Sequence, residues 1–114
     1  MDIVYVSERT SNTLRTSFEH QMDQEGLRSS SSGQQTLERV QRLDESLERL
    51  RSQTGNVSES EMQGSAVEVL ALAQQVANAF NRYPDLLQLV QYEWADCLFE
   101  LNELARYYDE PGIR

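Results

Sequence analysis

The sequence predicts an all-α fold: a three- or four-helix bundle with an antiparallel C-terminal helical hairpin and a coiled-coil-like middle helix. Three patterns predict it. Residues 35–53 repeat apolar side chains at heptad spacing, Met62 to Phe80 extend a 4-3-4-3-4 series, and residues 84–108 gather their core candidates on one helical arc. The domain boundaries that follow are an N-terminal segment, 1–33, a bundle domain, 34–110, and a tail, 111–114.

The N-terminal segment opens on Ile3, Val4, Tyr5 and Val6, a frayed or strand-like start. Leu14, Phe18 and Met22 then recur at i, i+4 and predict a helix, although its many Ser and Thr residues are poor helix formers. "GLRSSSSGQ", residues 26–34, reads as a flexible Gly/Ser linker, so the first helix is expected to be mobile or to adapt on binding.

"QTLERVQRLDESLERLRSQ", residues 35–53, is the cleanest helix. Val40, Leu43, Leu47 and Leu50 form a narrow a/d seam, and Glu38–Arg42 and Glu45–Arg49 pair at i, i+4 in the favourable acid-first order. The seam is the candidate oligomerisation surface. Arg39, Arg42, Arg49 and Arg51 set against Glu38, Asp44, Glu45 and Glu48 read as its solvated face.

Gly55 is the expected stop for that helix, and Ser58 with Glu61 reads as a capping box for the next. Met62, Ala66, Val69, Ala73, Val76 and Phe80 mark its buried stripe, widened by Val67, Leu70 and Ala77. "RYPD" then turns the chain. Pro84 suits a first helical turn, where its missing N–H has no partner anyway, and Asp85 complements the helix dipole. A single last helix over 84–108, closed by "DEPG", completes the hairpin.

Residues 83–108 hold six of the nine aromatic residues. At about 100° per residue, Leu86, Leu87, Val90, Trp94, Cys97, Leu98, Leu101, Leu104, Ala105 and Tyr108 share one core arc. Tyr92, Ala95 and Phe99 lie opposite, with Leu89 and Tyr107 nearby and Asp96, Glu100 and Glu103 around them. Residues 84–110 carry seven acids and one Arg, a charge of −6 out of the chain's −9. These eight residues, from Leu89 to Tyr107, are the candidate partner-binding surface: aromatics to anchor, and acids to select a basic or amphipathic helical segment. The competing expectation is that Leu14, Phe18 and Met22 fold over Tyr92 and Phe99 and cover the stripe.

Composition narrows the function class. With ten Arg, no Lys and a pI near 4.5, direct nucleic-acid binding is disfavoured, because it relies on cations neutralising phosphates. A mean hydropathy of −0.63 and the lack of a long apolar run argue against membrane insertion. "MDIVYVSERT" has neither a basic n-region nor an apolar h-region, so no signal peptide is expected. The lone Cys97 fits a reducing, cytoplasmic setting, in which "NVS" at 56–58 is a glycosylation sequon in form only.

Catalytic constellations are missing. His20 stands beside Glu19 with no HExxH, Glu100 and Glu103 lack the His of a di-metal helix pair, and five scattered glycines make no phosphate loop. Cys97 has no His or CxxC companion. No cofactor or metal is expected, and the reading is a non-enzymatic protein–protein interaction module: an adaptor, assembly factor or chaperone-like subunit. The alternative from another class is an acidic regulator that mimics nucleic acid.

"YPDLLQLVQYEW", residues 83–94, joins two amphipathic helices through Pro-Asp and resembles the helix-turn-helix hairpin of type III secretion needle and inner-rod subunits. The resemblance covers about a quarter of the chain. Small acidic secretion chaperones are similar in composition, which supports an assembly helper as a class, and the hairpin resemblance implies, as an alternative, a secretion-system component or its chaperone. Two departures stand against the needle pattern: Pro111 and Gly112 end the helix early, and the N-terminal half is longer than a needle subunit needs.

Overall fold

Asp2 starts the first helix. In a computed structural model, which describes residues 2–114, its carboxylate accepts from the N–H groups of Val4 (3.0 Å) and Tyr5 (3.4 Å). That cap meets two of the donors a helix N-terminus leaves free. Helix α1 then runs Ile3–Gln24, one continuous helix with no strand-like start. Its buried stripe is Val4, Ser7, Ser11, Leu14, Phe18 and Met22. The serines occupy positions where a bundle helix ordinarily carries larger apolar groups, which draws the neighbouring helices close.

The expected linker is structured. Gly26 adopts a left-handed φ of 66°, Leu27–Ser29 makes one 3-10 turn, and Ser30 caps α2 (Ser31–Gln53) by accepting from Gly33 N–H at 3.2 Å. The Ser run therefore supplies a helix cap and first turn. Residues 2–33 pack as part of the bundle, and the boundary expected at residue 33 falls inside α2. Gly33 lets the two helix ends meet: a Cβ there would lie 2.8 Å from Met22 Cε and 3.1 Å from Leu27 O.

Gly55, with a φ of 81°, follows α2 as expected, and Ser58 Oγ accepts from Glu61 N–H to open α3 (Glu59–Arg82). The expected last helix is two. Pro84–Leu89 forms α4 and Gln91–Tyr107 forms α5, with Val90 at φ −139° and ψ 31° between them. Neither Pro nor Gly causes this break. The buried, β-branched Val90 leaves helical geometry there, and Leu86, Val90 and Trp94 all remain buried.

Short connections make successive long helices antiparallel. Cross-helix pairs follow the same sense: Arg51 with Glu8 (3.2 Å) and Arg15 with Asp44 (3.2 Å) join α2 to α1, while Ser65 Oγ donates to Gln53 Oε1 (2.7 Å) between α3 and α2. Around the bundle the order is α5, α1, α2, α3. Helices α3 and α5 form the expected antiparallel hairpin, yet α5 packs most extensively on α1 and only lightly on α3.

The core unites all the long helices. Phe80 stands between Phe18 (5.9 Å, edge-on) and Trp94 (5.4 Å), so one aromatic series ties α3 to α1 and α5. Val40, Leu43, Leu47 and Leu50 are fully buried inside this single chain. The proposed oligomerisation seam is therefore core, because α1 and α3 cover it within the chain.

Asp44 also departs from the expected solvated face: it is completely buried. Ser11 Oγ donates to its Oδ1 at 2.8 Å, and Arg15 Nη1 and Asn12 Nδ2 approach Oδ2 at 3.2 and 3.5 Å. Such a paired buried carboxylate adds little net stability, but it disfavours any register that strands it without partners.

Leu47→Ala is expected to lower unfolding stability by about 2–5 kcal/mol, the usual range for a buried leucine. Urea melts at several protein concentrations check it. A loss that shrinks as concentration rises would place the seam between chains instead.

Candidate functional site

With α1 seated on the Trp94–Cys97–Leu101 face of α5, the opposite face stays uncovered. Tyr92 is 76% exposed and Phe99 62%, seven residues and roughly 10.5 Å apart along the axis. Ala95 and Asp96 are exposed between them, and Glu100 and Glu103 are half-buried along the edges. Leu14, Phe18 and Met22 do not cover the stripe. They are wholly buried in the core.

Two of the eight candidate residues fall elsewhere. The break at Val90 sets Leu89 on α4, partly buried at the far end of the bundle in a cleft shared with Leu27, Tyr83 and Pro84. Tyr107, 72% exposed, stacks edge-on against Tyr108 at 5.0 Å and lines a cleft of about 750 Å³ at the other end, with Val4, Met62 and Asp109. The structure thus brings together Tyr92, Ala95, Asp96, Phe99, Glu100 and Glu103. Sequence periodicity grouped Leu89 with them because it assumed one unbroken helix.

One border of the stripe was not foreseen. Val6, Arg9, Thr10 and Thr13 of α1 line a groove of about 220 Å³ with Glu93 and Asp96 of α5. The antiparallel run of α1 along α5 brings these residues there, and it could be read from the sequence only after α1 was known to be part of the bundle. On the other border Arg106 approaches Glu103 at 3.4 Å, an exposed pair of the kind that contributes little.

The electrostatics of the stripe are one-sided. Burial, and then the neighbouring charges of Glu103 and Asp96, raise the carboxyl pKa of Glu100 above its ordinary value. A cation placed over this edge would relieve that repulsion. Cys97, on the inner face, has its thiol pushed up to about 12, chiefly by burial, so it behaves as a small apolar group.

His20 is exposed on α1, away from the stripe. Among the described residues no three His, Cys, Asp or Glu side chains stand close enough to share a metal ion, and no helix is long and apolar enough to cross a membrane. Compared with known proteins, the chain matches no protein-family model, no curated protein and no solved structure.

A raised carboxyl pKa in the folded state means that Glu100 favours folding in its neutral form. That contribution is fully present below the unfolded value and is lost as pH rises through the folded one. Glu100→Gln is therefore expected to melt at a higher temperature than the parent near neutral pH, with the two converging in acid. Thermal melts across that range check it, and a gap that widens in acid would contradict the assignment. Cys97 should react with a thiol reagent only as fast as the chain unfolds. Rapid labelling of the folded chain would contradict its burial.

Proposed function

We propose that this chain is a non-enzymatic protein-interaction module, an adaptor, assembly factor or chaperone-like subunit, that binds a basic or amphipathic helical segment through α5. The observation that carries the reading is the stripe itself. Tyr92 and Phe99 are among the most exposed large apolar residues described, and they alternate with Asp96, Glu100 and Glu103 on one helix face. Single exposed aromatics are ordinary. Two of them one helical repeat apart, edged by carboxylates and unused by the core, are suited to an incoming helix that presents its own i, i+7 anchors between basic residues.

Charge supports the same occupant. A partner cation would meet the segment that holds most of the chain's net negative charge, and steering would favour encounter at low salt. The interleaved aromatics speak for an ordinary interface over nucleic-acid mimicry, which would present carboxylates alone. The α2 seam is internal, so this reading assigns a helical partner to the α5 stripe and not to that seam. A reducing, cytoplasmic setting is part of the reading and rests on the single thiol.

The test is capture from the native host with the intact chain, followed by the Tyr92→Asp/Phe99→Asp double variant. The expected result is a stoichiometric partner that the variant loses, with helical circular dichroism retained and binding weakened only mildly by salt. A folded variant that keeps the partner would overturn the assignment. An unfolded variant would place the stripe in the core.

A further inference from the structure

A second surface, distinct from the α5 stripe, lies between α3 and α5, and the chain's own residues 110–114 occupy it. Helix α5 ends in a left-handed turn. Asp109, at φ 57°, is the single described non-glycine residue with positive φ. Asp109 N–H donates to Arg106 O (3.2 Å) and Glu110 N–H to Ala105 O (2.8 Å), the paired bonds of a Schellman motif. This turn reverses the chain and lays it along α3.

Three of the contacts that follow read main chain. Asn102 Oδ1 accepts from Ile113 N–H at 2.7 Å. Gln74 grips Arg114 from both sides: its Oε1 accepts from Arg114 N–H at 2.9 Å, and its Nε2 donates to Arg114 O at 3.0 Å. Gln63 Nε2 donates to Glu110 Oε1 at 3.1 Å. Gln63 and Gln74 are eleven residues apart on α3, roughly 16 Å, which five extended residues span. Gly112 suits this seat: a Cβ there would stand 2.8 Å from Asn102 Oδ1, so the carboxamide that holds Ile113 N–H would have to shift.

Yet the occupant is lightly held. Pro111, Gly112 and Arg114 are exposed, and Ile113 is the tail's one residue packed against the core. Beside it about 420 Å³ of groove stays open against Val67, Leu70, Ala71 and Gln74. Val67 remains 44% exposed with the tail in place.

We infer that the α3–α5 groove is a receptor for an extended peptide from another protein, and that residues 110–114 are its exchangeable internal occupant. The peptide's chemistry follows from the tail's: a small residue followed by an aliphatic one, read through main-chain N–H and C=O groups by Asn102 and Gln74. Because these readers are neutral carboxamides, binding should depend little on salt.

The probe is a labelled peptide of sequence Asp-Glu-Pro-Gly-Ile-Arg, titrated by fluorescence anisotropy into the full chain. Gly112→Val sets a side chain against the Asn102 carboxamide and should loosen the tail, and Ile113→Asp removes its anchor by an independent route. Both variants should keep their helical circular dichroism and bind the peptide about tenfold tighter, or more, than the parent chain does. Adding Gln74→Ala should abolish the gain, and a peptide with Val in place of Gly should not bind. The inference is overturned if neither released variant binds the peptide, or if binding survives Gln74→Ala. It is equally overturned if the released chains bind one another instead of the peptide, which would make the groove a contact between copies.

Discussion

The exposed stripe on α5 depends on α1 lying between α2 and α5. Leu14, Phe18 and Met22 enter a core already lined by the α2 seam and the α3 stripe, and Phe80 joins them to Trp94. Once α1 holds the Trp94–Cys97–Leu101 face, none of the described helices is left to cover Tyr92 and Phe99. The exposed stripe is thus a consequence of how many helices the chain has and which of them share faces.

Small and polar residues set the details of that docking. Ser7 and Ser11 stand where larger groups would hold the helices apart, and Asp44 receives Ser11 and Arg15. Gly33 lets the start of α2 approach Met22. These contacts contribute less to stability than the leucines do, but they select one register out of several that apolar periodicity would accept. The amphipathic pattern makes a bundle, and the polar exceptions make this bundle.

Much of the fold was legible in the sequence because apolar periodicity reports helix faces directly. The a/d seam, the Met62–Phe80 stripe, the Ser58 cap and the core arc from Leu86 to Tyr108 lie where spacing put them, while Val67, expected to widen the α3 stripe, is exposed. The departures share one cause: periodicity records which face is apolar and not what covers it. Composition made the Ser run look like a spacer, although serine is also an excellent helix cap. Asp44 looked solvated because its three partners come from α1, a helix that propensity undervalued. The break at Val90 left no Pro or Gly to announce it, so Leu89 was placed in the wrong company. Of the candidate surface, Tyr92, Ala95, Asp96, Phe99, Glu100 and Glu103 were legible. The groove beside Arg9 and the tail seated on Gln74 were not, since both depend on contacts between distant segments.

Native-state amide hydrogen exchange shows whether α1 is an integral wall of the bundle. Amides from about Leu14 to Met22 should exchange only through global unfolding, with the same opening free energy as the centres of α2 and α3. Fast exchange along α1 while α2 and α3 stay protected would contradict it. In that case α1 would be an arm that docks and releases, and the stripe on α5 could be one of its resting places.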